Sequence, residues 1–140
     1  MMRSEKIRAY VSVSFNDRKT LQDELNTITS TLAKFQIESF IFVDHYSFAR
    51  GQEQEMMKQA MKDIDESDLL IAEASFKAIG LGVEVGYAKA KNKPVVYIRK
   101  NNAEHSTTVS GISDFQVIYS RVHDLESKLS EVIERIRQQK

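Results

Sequence analysis

The stretch DLLIAEASFKAIGLGVEVGYAKAKNKPVVYI, residues 68–98, decides how this chain folds. It opens on DLLIAE (68–73), which has strand length and an apolar centre bounded by acids. Residues 81–92 predict a helix, and Pro94 suits the first position of a following strand, PVVYI. A strand, a helix and a second strand in about thirty residues make a βαβ unit, whose strands run parallel. One acid, Glu84, stands inside the small apolar run GLGVEVGYA.

The pattern repeats on both sides. IRAYVSV (7–13), IESFIFV (37–43) and FQVIY (115–119) read as strands. Leu21, Leu25, Ile28, Leu32 and Phe35 recur at steps of four, three, four and three, which predicts a helix over 17–35. Met56, Met57, Ala60, Met61 and Ile64 mark a helix over 52–66, and Leu125, Leu129, Val132, Ile133 and Ile136 mark a last one. Five strands alternating with helices predict an α/β flavodoxin-like three-layer sandwich, with a five-stranded parallel sheet in the order 2-1-3-4-5. Such a sheet binds ligands beyond the carboxyl ends of its strands, where the order reverses between strands 1 and 3. The segments placed there are 14–17, 44–52, 74–84 and 100–111.

With 140 residues, 41% of them hydrophobic, residues 1–140 are expected to form one domain with a real core. Twenty basic and twenty acidic residues cancel, so neither a nucleic-acid polymer nor an anionic membrane is an expected partner. No cysteine occurs, which removes disulfides, thiolate metal sites and cysteine nucleophiles. The start, MMRSEKIRAYVSV, has no long apolar core and no small-residue cleavage site, and no apolar run reaches membrane-span length. A cytoplasmic protein is expected.

The candidate site residues each have two readings. Gly80, Gly82 and Gly86 are spaced G-x-G-x-x-x-G, which is not the dinucleotide fingerprint. Gly80 and Gly82 either leave the helix start bare, so that its free N–H groups face a ligand, or form a plain turn into the helix. Glu84 is expected in or near the first helical turn, as a solvated acid or as a carboxylate beside a sugar cation. Alternation puts Tyr10, Ser12 and Ser14 on one strand face. Ser14 and Asn16 could donate to a ligand, or Asn16 and Asp17 could cap a helix. Asp44 and His45, with Tyr46 and Phe48, either stack on a base or form a surface turn. Asp63, Asp65, Glu66 and Asp68 read as the solvated end of a helix. No histidine pair has metal-ligand spacing, so no metal is expected. There is no P-loop and no G-x-S-x-G elbow.

DLLIAEAS followed by GLGVEVGYAKAKNKPVVYI resembles the nucleoside 2-deoxyribosyltransferase superfamily, and within it the 2′-deoxynucleoside 5′-phosphate N-hydrolases. That family has a strand ending in Ala-Glu, a small-residue loop, G-x-x-E-x-G-x-A and then Lys-Pro before a strand. The resemblance spans roughly residues 8–119 and is specific over 68–98. It implies metal-independent cleavage or exchange of an N-glycosidic bond in a nucleoside or its 5′-monophosphate, with no cofactor, by a homodimer or larger homo-oligomer. By position it makes Glu84 the catalytic glutamate. It makes Tyr10 and Ser14 the strand-1 tyrosine and serine, Asp44 and His45 the acid–histidine pair after strand 2, and Ser106 a 5′-phosphate contact. The base would stack near His45 and Tyr46, with a phosphate on the N–H groups at Gly80–Gly82.

Three positions depart from the family pattern. The second acid on the preceding helix is Ala60, the phosphate-loop serine is Ala78, and the tyrosine before the glutamate is Val83. A lost acid–base group costs about two to four orders of magnitude in rate. Asp44 or Glu53 is a possible substitute. A second resemblance is to TIR domains, through SFND (14–17), Asp44 and the helix between Gly51 and Ser67. It implies NAD as substrate. A third reading keeps the pocket and loses turnover, leaving a nucleotide-binding module.

Overall fold

The structure, a computed structural model, describes residues 6–139. Five strands, β1 (Ile7–Val13), β2 (Ile37–Ile41), β3 (Leu69–Glu73), β4 (Val95–Lys100) and β5 (Phe115–Tyr119), form one sheet in the order β2-β1-β3-β4-β5. Every pairing is parallel. The helices are α1 (Gln22–Lys34), the single turn α2 (Phe42–His45), α3 (Glu53–Asp65), α4 (Ile79–Ala90), α5 (Thr107–Ile112) and α6 (Val122–Gln138). The expected sheet and its reversal point at β1 and β3 are both present.

Both faces of the sheet are covered, which is why its central strands are apolar throughout. Alternation along β1 sends Ala9, Val11 and Val13 to one face, where Leu25, Ile28 and Leu32 of α1 and Leu125, Leu129 and Ile133 of α6 close over them. Tyr10 points to the other face, toward Ala60 and Ile64 of α3 and Leu81, Val85 and Ala88 of α4. Each fully buried leucine or isoleucine contributes about 1.5–3 kcal/mol. No helix among the described residues is long and apolar enough to cross a membrane.

Several boundaries differ from the sequence reading, each for a local reason. β2 stops at Ile41, because Phe42–His45 turns helical and sets Phe42 against Tyr46 with ring centroids 5.0 Å apart. α1 begins at Gln22, not 17. Phe15–Asp17 forms a 3₁₀ turn, held by the Ser14 hydroxyl donating to Asp17 at 2.7 Å, so neither Asn16 nor Asp17 caps α1. α4 begins two residues early, at Ile79, and the chain leaves it through Asn92 at φ 62°. Residues 107–112, read as loop, form α5; its N-cap Ser106 accepts from the Val109 N–H. Six residues are too few to show a helical period. Asp65, Glu66 and Asp68 are exposed as expected, but Asp63 is only 4% exposed. It faces inward on α3, where the Tyr46 hydroxyl donates to it at 2.9 Å.

Candidate active site at the strand 1–strand 3 reversal

A cavity of about 550 Å³ opens beyond the carboxyl ends of β1 and β3. Its walls come from the end of β1 with the 3₁₀ turn, the segment 42–48, the start of α3 at Met56 and Met57, and the stretch 77–84. The β1–β3 pairing puts Ser12 beside Ala72 and Val13 beside Glu73, so β1 extends to the mouth of the site. The reversal makes this crevice: the connections on either side leave in opposite directions and cover no ground between them.

Glu84 lines the cavity from the second turn of α4. The early start of the helix at Ile79 puts it just past the first turn. The Tyr10 hydroxyl donates to Glu84 Oε2 at 2.7 Å, and the Ser12 hydroxyl donates to Oε1 at 2.5 Å. Tyr10 is fully buried and Ser12 is 1% exposed, so a rigid central strand holds both oxygens of the carboxylate. Burial raises the Glu84 pKa above the usual carboxylate value, while the Ser12 and Tyr10 hydrogen bonds pull against it. Burial and the neighbouring Glu84 in turn push the Tyr10 phenol up, so it remains a donor. Ser12 was visible in the sequence only as part of the Tyr10-Ser12-Ser14 alternation. Its part in orienting Glu84 needed the distance between β1 and α4.

The other predicted residues divide. Ser14 and Gly80 line the cavity with Glu84, although the Ser14 hydroxyl is engaged with Asp17. Gly82 lies off the lining, and its N–H donates to the Ala78 carbonyl at 3.4 Å, so it is not among the free donors of the helix start. A Cβ at Gly80 or Gly82 would meet nothing within 4 Å, so packing does not require glycine at either. Asp44 lies outside the lining, with both oxygens held by Arg18 at 2.8 Å. His45 is exposed and stacks on Phe40 at 4.1 Å. Ser106 caps α5 and borders a smaller adjoining recess with Ala78 and Ile79. Ala60 is core, 1% exposed, and Glu53 is exposed outside the lining.

Part of the cavity wall is aromatic. Phe42, Tyr46 and Phe48 form one cluster, with centroids 5.0 to 6.2 Å apart. Tyr46 is anchored at its far end by Asp63, which also accepts from the Gln59 amide and lies 4.0 Å from the Arg8 guanidinium. The sequence reading missed this anchor because Asp63 stands in an acidic run.

Another buried carboxylate lies on the other face of the sheet. Glu73, 0% exposed, accepts from the Tyr119 hydroxyl at 2.5 Å and from the Ser75 N–H at 2.8 Å. Burial raises its pKa, against these donors. Ser75 also accepts from the Lys100 N–H, so Glu73 ties the start of the 74–78 loop to β4 and β5.

The chain is thus a doubly wound α/β protein with a carboxylate pinned in an aromatic cavity at the sheet's reversal point. A family model, described as nucleoside 2-deoxyribosyltransferase, matches residues 11–130, and the chain belongs to that family. It is 29% identical over 84 residues to a protein of Thermofilum pendens named as a candidate 2′-deoxynucleoside 5′-phosphate N-hydrolase 1, a match covering 56% of this chain and 59% of that one. A protein of Syntrophotalea carbinolica with the same name is 46% identical over 41 residues, 29% of each chain. The chain therefore aligns with under two thirds of the length of either relative. Among solved structures, a CMP N-glycosidase of Clostridium botulinum superposes with a TM-score of 0.65 at 17% identity, over 89% of this chain and 98% of that one. A 2-deoxyribosyltransferase of Bacillus psychrosaccharolyticus gives 0.64 at 13% identity, over 85% and 90%. At these identities the superpositions show a shared fold.

Proposed function

We propose that the protein cleaves or transfers the N-glycosidic bond of a nucleoside or its 5′-monophosphate, with Glu84 as nucleophile or as stabiliser of the sugar cation. One observation carries the reading: a carboxylate on α4, held at both oxygens by Tyr10 and Ser12, lines an apolar cavity at the reversal point. A fixed carboxylate in a site of low polarity loses little to reorganisation when positive charge develops at the anomeric carbon. Fixing it on strand and helix also limits the motion that would misplace it.

In this reading the base lies against Phe42, Tyr46 and Phe48, and the sugar lies over Glu84. A 5′-phosphate is directed toward Gly80 and Lys77, where the first N–H groups of α4 lack helical acceptors. Asp44, His45 and Ser106 have no direct part. The reaction uses no metal. The active form is a homodimer, for which Ile79 (89% exposed) and Val83 (50%) offer an apolar edge on α4 beside the cavity. Sedimentation of the wild type beside Val83→Glu tests that part; a monomeric wild type removes it.

The primary test is base release by chromatography from deoxynucleosides, ribonucleosides, their 5′-monophosphates and NAD, with wild type and Glu84→Gln. Release from at least one class, lost in the variant, is the expected result. Release unchanged in the variant removes Glu84 from the chemistry. No release from any substrate at high enzyme leaves a binding module.

A further inference from the structure

We propose that this cavity selects N-glycosides whose base already carries a positive charge, such as a pyridinium or an N7-alkylated purine, over those of neutral bases. The inference rests on the N-glycosidic reading and names its substrate class.

A neutral base leaves with the electron pair of the broken bond and needs a proton as it goes. A positioned acid supplies about two to four orders of magnitude for that step. Among the described residues, Glu84 is the one carboxylate lining the cavity, and no histidine lines it. Of the hydroxyls on or beside the cavity, Ser47 is an alcohol and too weak an acid to protonate a departing base, and the others donate elsewhere. Tyr10 and Ser12 donate to Glu84, Ser14 donates to Asp17, and Tyr46 donates to Asp63. Lys77 lies at the rim with its ammonium 2.9 Å from Glu104. Of the two acids the sequence offers as substitutes, Asp44 is held at both oxygens by Arg18 and Glu53 is exposed outside the lining, while position 60 on α3 is a buried alanine.

What the cavity does offer suits a cation. The rings of Phe42, Tyr46 and Phe48 line it as one cluster, and Glu84 supplies an anionic group. A cation over the face of an aromatic ring gains about 0.5–2 kcal/mol. The step then balances without an enzymic acid. The C1′–N bond breaks and its electron pair neutralises the ring cation. The Glu84 carboxylate bonds to, or shields, C1′. A water oxygen then bonds to C1′, the carboxylate is freed, and the water's proton passes to solvent. The products are a neutral base, a sugar hydroxyl and one proton.

The test is steady-state base release at neutral pH by the full chain on matched pairs, each corrected for its spontaneous rate. The pairs are N7-methyl-2′-deoxyguanosine with 2′-deoxyguanosine, and nicotinamide mononucleotide with CMP. The expected kcat/KM ratio, cationic over neutral, is about 10² to 10⁴, the contribution of the missing acid. A second readout is the alkaline side of the profile for the nicotinamide mononucleotide–CMP pair, whose pyridinium has no ring proton to lose: CMP slows by roughly tenfold per pH unit as its proton must come from solvent, while nicotinamide mononucleotide stays level. Comparable kcat/KM within both pairs, or equal alkaline profiles, overturns this inference and leaves the N-glycosidic reading standing. Release from neither class overturns both.

Discussion

Replacing Tyr10 by phenylalanine should raise the pH at which Glu84 ionises. The variant keeps the buried ring and removes one hydroxyl, the donor 2.7 Å from Glu84 Oε2. A hydrogen bond to a charged group contributes about 1.5–3 kcal/mol. The sign follows from which form the bond favours. The hydroxyl donates to the carboxylate and so lowers the Glu84 pKa; burial, which raises it, stays in place. In the variant the carboxyl group therefore stays protonated to higher pH. If the ionised form does the chemistry, the acidic limb of the kcat/KM profile shifts up by the same amount, with little change on the plateau. The assay is base release against pH for wild type and Tyr10→Phe, beside a carbon-detected NMR titration of the Glu84 carboxyl in both. An unmoved Glu84 titration would refute the claim that Tyr10 holds the carboxylate. A shifted titration with an unmoved rate profile would refute the catalytic role of its ionised form.

Four further outcomes follow from particular contacts. Leu129→Ala, at a fully buried α6 position, should lower stability by about 2–5 kcal/mol in chemical denaturation, and a loss under 1 kcal/mol would contradict the described packing. Ser106→Ala removes the cap of α5 and should cost about 0.5–2 kcal/mol; no loss would show that the Val109 N–H finds another acceptor. Tyr46→Phe leaves buried Asp63 without one donor and should cost about 1–3 kcal/mol while the ring keeps its stacking face; substrate KM should then change by less than severalfold. Glu73 has its folded pKa raised, so the folded state binds more protons than the unfolded one above pH 4.5, and its contribution to stability declines as pH rises through that window. Glu73→Gln should flatten the fall in unfolding free energy between pH 4.5 and the raised pKa; an unchanged slope would assign the pH dependence to other groups.

The strand segments, the parallel sheet and its order were legible because each signal is local. Periods of two in IRAYVSV and of three to four in residues 21–35 are written in consecutive residues, and a βαβ unit leaves few ways to assemble. Element ends were less legible. Phe42 reads as strand by composition, yet its packing on Tyr46 ends β2 at Ile41. Asp63 reads as solvent-facing, yet it is buried because Tyr46, Gln59 and Arg8 come to it from three different segments.

The same division runs through the site. Sequence by itself determined that a glutamate would stand on the helix after strand 3, at the edge where such a sheet binds ligands. It also determined that Ala60 would replace the second acid expected from the resemblance. Only tertiary structure decided what Glu84 touches. Tyr10 and Ser12 are 74 and 72 residues away in the chain, and they meet the carboxylate because β1 lies beside β3 under α4. It also drew Asp44 to Arg18 and Ser14 to Asp17. Hydrogen bonds depend on a few tenths of an ångström and on which segments the fold brings together, whereas strand and helix periods depend only on the order of residues along the chain.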